Sequence, residues 1–544
     1  MRLGLPCAVH RGFGGPVPRG PHVQRLALLV ALVAALLILP RLSHRQIVGS
    51  HEAVYPVVAR DMLERGVWLD ARLRGDPYRY KPPLYPWAIA LASWPGGAVT
   101  LTTARIPGAL SAIGAVVATF LLGTRLFGRR AGLWSAMILM TSVLFFDHAL
   151  VTIPDMLMVF IGLLAGLALW SIGNGSGRGA VFGFYVALGL GVFVKHFSGL
   201  LPLAVALAWL GTHGGRPALK RLVWWPGIAV FVLVTAIWLV PFMRGGGGAG
   251  RFATDVVWGD WLRQHIGGPR LATLGGELAS AVLGFLPWTL LAPVALVAAI
   301  QARRERAVAF ALWWLVVPAL FIFWVQQQRA RYLLPLMPGA ALLVAWWADR
   351  AAAAAHPRRI LAGLAVTASL VGAVAVPFVL RRLEIDLPVP AWALALLLGG
   401  VVALGIVAGI GLWTPRLRHA LPAVAVMTAL LLVVVGWIVD DWQNRAWDFP
   451  GVARTLQRTA RPLAVAALAI DNQELLPIDF YLGRALPALR TPGAVRAHLT
   501  DAHGAVVVED WRWSSARQWL PLDVSALRAD PVGAGVIVVS DGAR

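Results

Sequence analysis

Runs of mainly apolar residues recur along this chain from Leu26 to Val439, and short basic segments separate them. About 20 such residues in a helix cross the hydrocarbon core of a bilayer. Lipid accepts only helices or closed barrels, because every backbone polar group must be satisfied internally. Thirteen spans are expected, at 25–42, 104–124, 131–149, 156–173, 180–194, 198–212, 223–243, 277–299, 308–326, 332–348, 360–380, 391–412 and 419–439. The fifth and sixth have only Lys195-His196-Phe197 between them, and read as two helices or as one bent helix. Composition agrees: 58% of residues are hydrophobic and 14% charged, against about 45–50% and about 25% in soluble domains. The fold class expected is an all-α polytopic membrane protein.

The formal net charge of +22 invites a nucleic-acid reading, but the placement of the arginines excludes it. They fall mostly between the apolar spans, as the positive-inside rule and attraction to anionic lipid require. With the N-terminus inside, the inner connections carry Arg125, Arg129 and Arg130; Arg303, Arg304 and Arg306; and Arg350, Arg358 and Arg359. Their only acids are Glu305 and Asp349. The first 24 residues are basic and rich in Gly and Pro, and precede the apolar stretch Leu26–Leu39. No small-residue cleavage site follows, so this stretch is read as a retained helix rather than a signal peptide. An odd number of spans then puts the C-terminus outside a bacterial cytoplasmic membrane. Cys7 is the only cysteine, so no intramolecular disulfide can form.

Three outer segments are long: 43–103, 244–276 and the tail from 440. The organisation expected is a cytoplasmic segment 1–24, a membrane domain 25–439 and an extracytoplasmic domain 440–544. The tail has short apolar runs, Leu463–Ile470, Ala505–Val508 and Gly535–Val539. These have the length of buried strands and suit a small α/β domain. The second segment opens with Gly245 to Gly248 and holds Trp258, Trp261, His265 and Arg270. It reads as a flexible linker with aromatic anchors or as a lid.

Ionisable groups at a membrane boundary are candidates for function. Glu52 follows the first span, with His51, Tyr55 and Arg60 near it. Asp155, in Thr152-Ile153-Pro154-Asp155, starts the fourth span, where an acid also stabilises a helix N-terminus. Only three lysines occur among 48 basic residues: Lys81, Lys195 and Lys220. Lys81 precedes Pro82-Pro83, which holds its backbone extended. Arg331-Tyr332 opens the tenth span, and arginine grips phosphate through a planar fork. The plain alternative for these cations is snorkelling to lipid head groups. Carboxylates and phosphate-binding cations on one membrane face suit a reaction on a lipid-linked phosphate. A transporter or flippase, or a non-catalytic envelope scaffold, is the alternative.

These residues carry a resemblance. His51-Glu52-Ala53-Val54-Tyr55, Ala59-Arg60-Asp61-Met62-Leu63 and Lys81-Pro82-Pro83-Leu84 are similar to the first outer loop of one glycosyltransferase family. That family includes aminoarabinose transferases and protein O-mannosyltransferases, which have the GT-C fold and use polyprenyl-phosphate sugars. Thr152-Ile153-Pro154-Asp155, the Lys195 turn, Leu286-Pro287-Trp288 and Arg331-Tyr332-Leu333-Leu334-Pro335 follow in the family's order. The resemblance implies inverting transfer of a sugar from a polyprenyl-phosphate donor to a hydroxyl of a lipid, glycan or protein. It implies Glu52 and Asp155 as catalytic acids, and Lys81, Arg331 and Tyr332 beside the donor phosphate. Tyr55, Arg60, His51, Lys195 and His265 complete the candidate substrate-binding set. The chain departs from the pattern twice. His51 replaces the usual acid before the glutamate, and Tyr80 replaces an acid common in the aminoarabinose branch. That branch can bind a metal through the second acid and a later histidine, here His265. With Tyr80 present, no cofactor is predicted, and a divalent metal is disfavoured.

Overall fold

The computed structural model describes residues 20–78, 80–244, 271–324, 329–351, 366, 391–413, 417–459, 465–468, 475–500, 504–509 and 527–541. In chain order the first helices are α1 (Pro21–Ile38), α2 (Ser50–Arg65), α3 (Leu84–Ser93), α4 (Leu101–Phe127), α5 (Arg129–Met140) and α6 (Val143–His148). Then come α7 (Asp155–Gly173), α8 (Arg178–Lys195) and α9 (Leu201–His213). Among the described residues, eight helical segments are long and apolar enough to cross a membrane. Their large side chains face outward as readily as inward. Leu28 is 71% exposed and Leu233 65%, which suits hydrocarbon as solvent and would be costly in water.

Some of the expected spans are interrupted for local reasons. The span expected at 131–149 is two helices, α5 and α6, separated at Thr141-Ser142. Both hydroxyls bond back to carbonyls four residues earlier, Thr141 to Met137 and Ser142 to Ile138, a contact that competes with continued helix. The span at 277–299 is broken between Leu271–Gly284 and Ala292–Gln301, around Pro287 and Pro293, which cannot donate to a helix ladder. The stretch at 332–348 begins as a 3₁₀ segment, Ala330–Leu336, before the helix Met337–Ala351. The span expected at 360–380 lies outside the described residues, Val366 excepted.

The chain divides into two compact units. The larger comprises 1–40, 108–150 and 154–436, and is the helical body. The other gathers 41–107, 151–153 and 437–544. The first polar loop and the tail, far apart in sequence, therefore fold as one body.

In this second unit the tail supplies a five-stranded sheet. A small hairpin, β1 (Arg72–Leu73) with β2 (Asp76–Pro77), precedes it in the chain. The sheet strands are β3 (Val465–Leu468), β4 (Ala488–Leu489), β5 (Ala505–Glu509), β6 (Leu527–Gly533) and β7 (Val536–Asp541), in the order β4-β3-β5-β7-β6. Strand β3 is parallel to β4 and β5, while β7 is antiparallel to β5 and β6. The three expected apolar runs are β3, β5 and β7, the central strands. The two edge strands, β4 and β6, carry no long apolar run and were not expected. Both sheet faces are covered: Val452, Leu456 and Ile478 pack on one, and Val495 and Leu499 on the other. Burial on both faces explains why the central strands read as continuous apolar runs.

Polar contacts tie the loop to the tail. Arg41 donates to Asp440 at 2.8 Å, with side-chain exposures of 3% and 0%. The backbone N–H of Gln46 donates to Asn444 Oδ1, whose amide donates to the His44 carbonyl. The Ile47 N–H donates to the Tyr481 phenol oxygen at 2.7 Å, and burial pushes that phenol's pKa above its ordinary range. In the β1–β2 hairpin, Arg74 and Gly75 both take positive φ, 54° and 83°, as a two-residue hairpin turn requires. The turn delivers Arg74 to Asp479 at 2.6 Å, with both side chains almost fully buried.

Candidate active site

Each unit holds a buried acid–base pair that includes a residue the sequence singled out. In the second unit, Glu52 sits in the first turn of α2 and is 6% exposed. Its Oε1 accepts from Arg105 Nη2 at 3.3 Å, from the Thr152 N–H at 3.2 Å and from Thr152 Oγ1 at 3.3 Å. Arg105, in the first turns of α4, is 1% exposed. Its Nη1 donates to the carbonyls of Leu42, at 3.1 Å, and of Arg45. A carboxylate and a guanidinium thus enter the interior together, which is the condition under which buried charge is tolerated.

Lys81 belongs to the same unit. It is half-buried, in a bend before α3, with Pro82 buried behind it. Helices α2 and α3 pack through Tyr55 and Tyr85, whose rings meet edge-on at 5.4 Å. Arg60 turns toward the tail, its Nη1 donating to the Asp479 carbonyl at 2.8 Å. His51 is exposed at the start of α2. Tyr80 is 51% exposed and lies against Tyr78, with ring centroids 5.9 Å apart.

In the helical body, Asp155 is the first residue of α7 and 2% exposed. Its Oδ1 accepts from Lys195 Nζ at 2.6 Å. The lysine ammonium lies 4.7 Å from the centre of the Tyr332 ring, and the Arg331 guanidinium 5.7 Å from it. Both distances fall within cation–π range. Arg331 Nε is buried and has no hydrogen-bond partner among the described residues. Asp155, Lys195, Arg331 and Tyr332 were named from separate parts of the sequence, and the fold brings them together.

The backbone explains how Lys195 gets there. Helix α8 ends at Lys195, and His196 takes φ 44° and ψ −130°, a strained conformation for a residue with a Cβ. The chain reverses, and residues 196–200 form a 3₁₀ turn leading into α9. The reversal is tight enough that a Cβ on Gly199 would overlap the Gly191 backbone. Of the two sequence readings, two elements joined by a turn is the one observed; the reversal keeps the lysine at a helix end facing the acid.

Comparison with known proteins follows from this geometry. Residues 80–240 match the family described as dolichyl-phosphate-mannose-protein mannosyltransferase. The chain is 27% identical over 504 residues to undecaprenyl phosphate-alpha-4-amino-4-deoxy-L-arabinose arabinosyl transferase 2 of Pseudomonas fluorescens Pf0-1, covering 90% of this chain and 83% of that one. It is 30% identical over 339 residues to the corresponding transferase 1 of Pseudomonas fluorescens Pf-5, covering 60% of each. The crystal structure of ArnT from Cupriavidus metallidurans bound to undecaprenyl phosphate matches at TM-score 0.76 and 18% identity, covering 95% of this chain and 97% of that one. The chain is thus similar in sequence to the aminoarabinose transferases and, over residues 80–240, to the mannosyltransferase family, and it shares the fold of ArnT.

Arg105, the partner of Glu52, is absent from the residues that the sequence singled out. Its signal was available: an arginine inside an expected apolar span is costly and calls for a partner. It was masked by the abundance of arginine in this chain. Thr152 was quoted as part of a motif but given no role, and nothing in its type announces one. His265 lies outside the described residues. Among the described residues no three His, Cys, Asp or Glu side chains gather as a metal site would require. The half-exposed phenol of Tyr80 does not suit a divalent cation, which prefers carboxylate or imidazole.

Proposed function

We propose that this GT-C protein transfers a sugar from a polyprenyl-phosphate donor to a hydroxyl acceptor, as a multi-pass enzyme of the bacterial cytoplasmic membrane. The observation that carries the reading is that the acids singled out by the sequence, Glu52 and Asp155, each sit in a buried acid–base contact, Glu52–Arg105 and Asp155–Lys195. Charge buried in such a setting is retained for function more readily than for stability.

Glu52 serves as the general base. It accepts the proton of the acceptor hydroxyl as that oxygen bonds the anomeric carbon. The bond from that carbon to the phosphate oxygen breaks, its electrons stay on the phosphate, and polyprenyl phosphate leaves with the anomeric configuration inverted. The resemblance assigns Lys81 and Arg331 to the donor phosphate, where a cation would stabilise the charge that develops. The unpartnered Arg331 Nε supports that role. Asp155 holds Lys195 and, with it, the face of Tyr332. The arginine distribution supports an inside N-terminus, with the reaction on the outer face and the tail outside. A lipid, glycan or protein hydroxyl is the acceptor.

The test is release of undecaprenyl phosphate from undecaprenyl-phosphate-linked sugars by the purified chain, without a membrane gradient. Glu52→Gln and Lys81→Ala are expected to abolish release while the protein stays folded. Full activity in either variant overturns that residue's assignment, and dependence on a gradient favours a transporter instead.

A further inference from the structure

Three donors converge on a single oxygen of Glu52. Arg105 Nη2 and both Thr152 donors meet Oε1, and Oε2 receives no hydrogen bond from the described residues. The side chain keeps 8% of its surface exposed. A carboxylate gripped at one oxygen has a fixed plane and one oxygen free to accept a proton.

We propose that Arg105 is a positioning residue that clamps Glu52 through Oε1 and thereby presents Oε2 to the acceptor hydroxyl. The proposal rests on the reading of Glu52 as the base.

The guanidinium is suited to this because it is itself immobile. Its Nη1 is pinned by the Leu42 and Arg45 carbonyls, in the segment that links α1 to α2. Its Nη2 reaches the carboxylate from the other end of the same rigid plane. A lysine in its place would offer one point charge on a flexible stem and could not hold both directions. Anchoring two carbonyls does not by itself explain the arginine. Its Nε is buried without a hydrogen-bond partner among the described residues, and an incompletely satisfied buried charge is costly. A neutral donor could serve the carbonyls without that penalty. Thr152 completes the clamp with a backbone and a side-chain donor, both on the oxygen that Arg105 already holds. In the transfer step, the hydroxyl proton passes to Oε2 while Oε1 keeps its three donors, so the carboxyl does not have to rotate.

The experiment uses the full chain in its own membranes with a panel of undecaprenyl-phosphate-linked pentoses and hexoses, reading initial rates of undecaprenyl phosphate release. Arg105→Met is expected to lower kcat about a hundredfold, the scale of a misplaced reacting group, with donor KM changed less than about threefold. Arg105→Lys is expected to recover about tenfold of that loss, and Arg105→Met with Glu52→Gln to be no slower than Glu52→Gln alone. Wild-type kcat in Arg105→Met beside an inactive Glu52→Gln overturns the clamp and leaves the base standing. Loss of the folded protein in both Arg105→Met and Arg105→Lys also overturns it, in favour of a purely structural arginine. A fully active Glu52→Gln overturns the base reading, and the clamp with it.

Discussion

The Glu52–Arg105 and Asp155–Lys195 pairs solve one problem in different ways. In the unit built from the first loop and the tail, the cation is an arginine fixed by backbone carbonyls, and the acid is held by three donors at 3.2–3.3 Å. In the helical body, the cation is a lysine in one short contact of 2.6 Å, backed by the face of an aromatic ring. The first arrangement fixes direction, since a planar fork and a threonine define where the carboxylate points. The second fixes charge, since a compact ammonium neutralises Asp155 and leaves orientation to the helix end. On the proposed reading, direction matters at Glu52, which accepts a proton along one line. Neutralisation matters for a group that must stay buried at a helix start.

That contrast is open to attack by substitution. The largest effect is expected at Glu52: on the proposed reading Glu52→Gln removes a general base and should lower kcat by about a thousandfold or more. The loss of thermal stability should be smaller than at Lys195, because the amide keeps a carbonyl oxygen for the same donors although the buried guanidinium loses its counter-charge. A large fall in melting temperature would make this pair structural and erase the difference between the two.

Lys195→Met is expected to act mainly on the fold. It leaves the Asp155 carboxylate buried without its partner, a change that costs about 3–5 kcal/mol. Thermal unfolding in detergent checks this, and an unchanged melting temperature would refute it. Gly199→Ala probes the reversal that aims the lysine. A methyl against the Gly191 backbone should cost about 1–3 kcal/mol and lower activity without touching a charged residue. Wild-type stability and activity would show that the turn relaxes freely.

The smallest effect is expected at the exposed Asp61–Arg65 pair on α2, four residues apart at 2.5 Å. Asp61→Asn should change stability by less than about 0.5 kcal/mol, as solvent-screened helix pairs do. A larger loss would mean that α2 depends on its surface charges as well as on the buried clamp.

The candidate site was legible in the sequence to the extent that its residues were conspicuous. Lys81 and Lys195 stood out because lysine is rare here, and Glu52 and Asp155 because acids are costly beside lipid. Arg105 was hidden among many arginines, although its place inside an apolar span was the clue. Thr152 could not have been found, because its role depends on a backbone N–H and a hydroxyl meeting a residue one hundred positions away. The Arg74–Asp479 and Arg41–Asp440 pairs were invisible for the same reason.

Apolar periodicity and charge placement, both local properties, determined that the chain is a multi-pass helical protein with polar segments at a membrane face. They also marked the three central strands of the tail, because burial on both faces leaves a continuous apolar run. The breaks in the helices, the folding of the first loop with the tail into one unit, and the choice of partner for each buried charge were decided by tertiary structure. Each depends on which distant groups can satisfy a donor, an acceptor or a charge removed from water, and sequence spacing does not encode that choice.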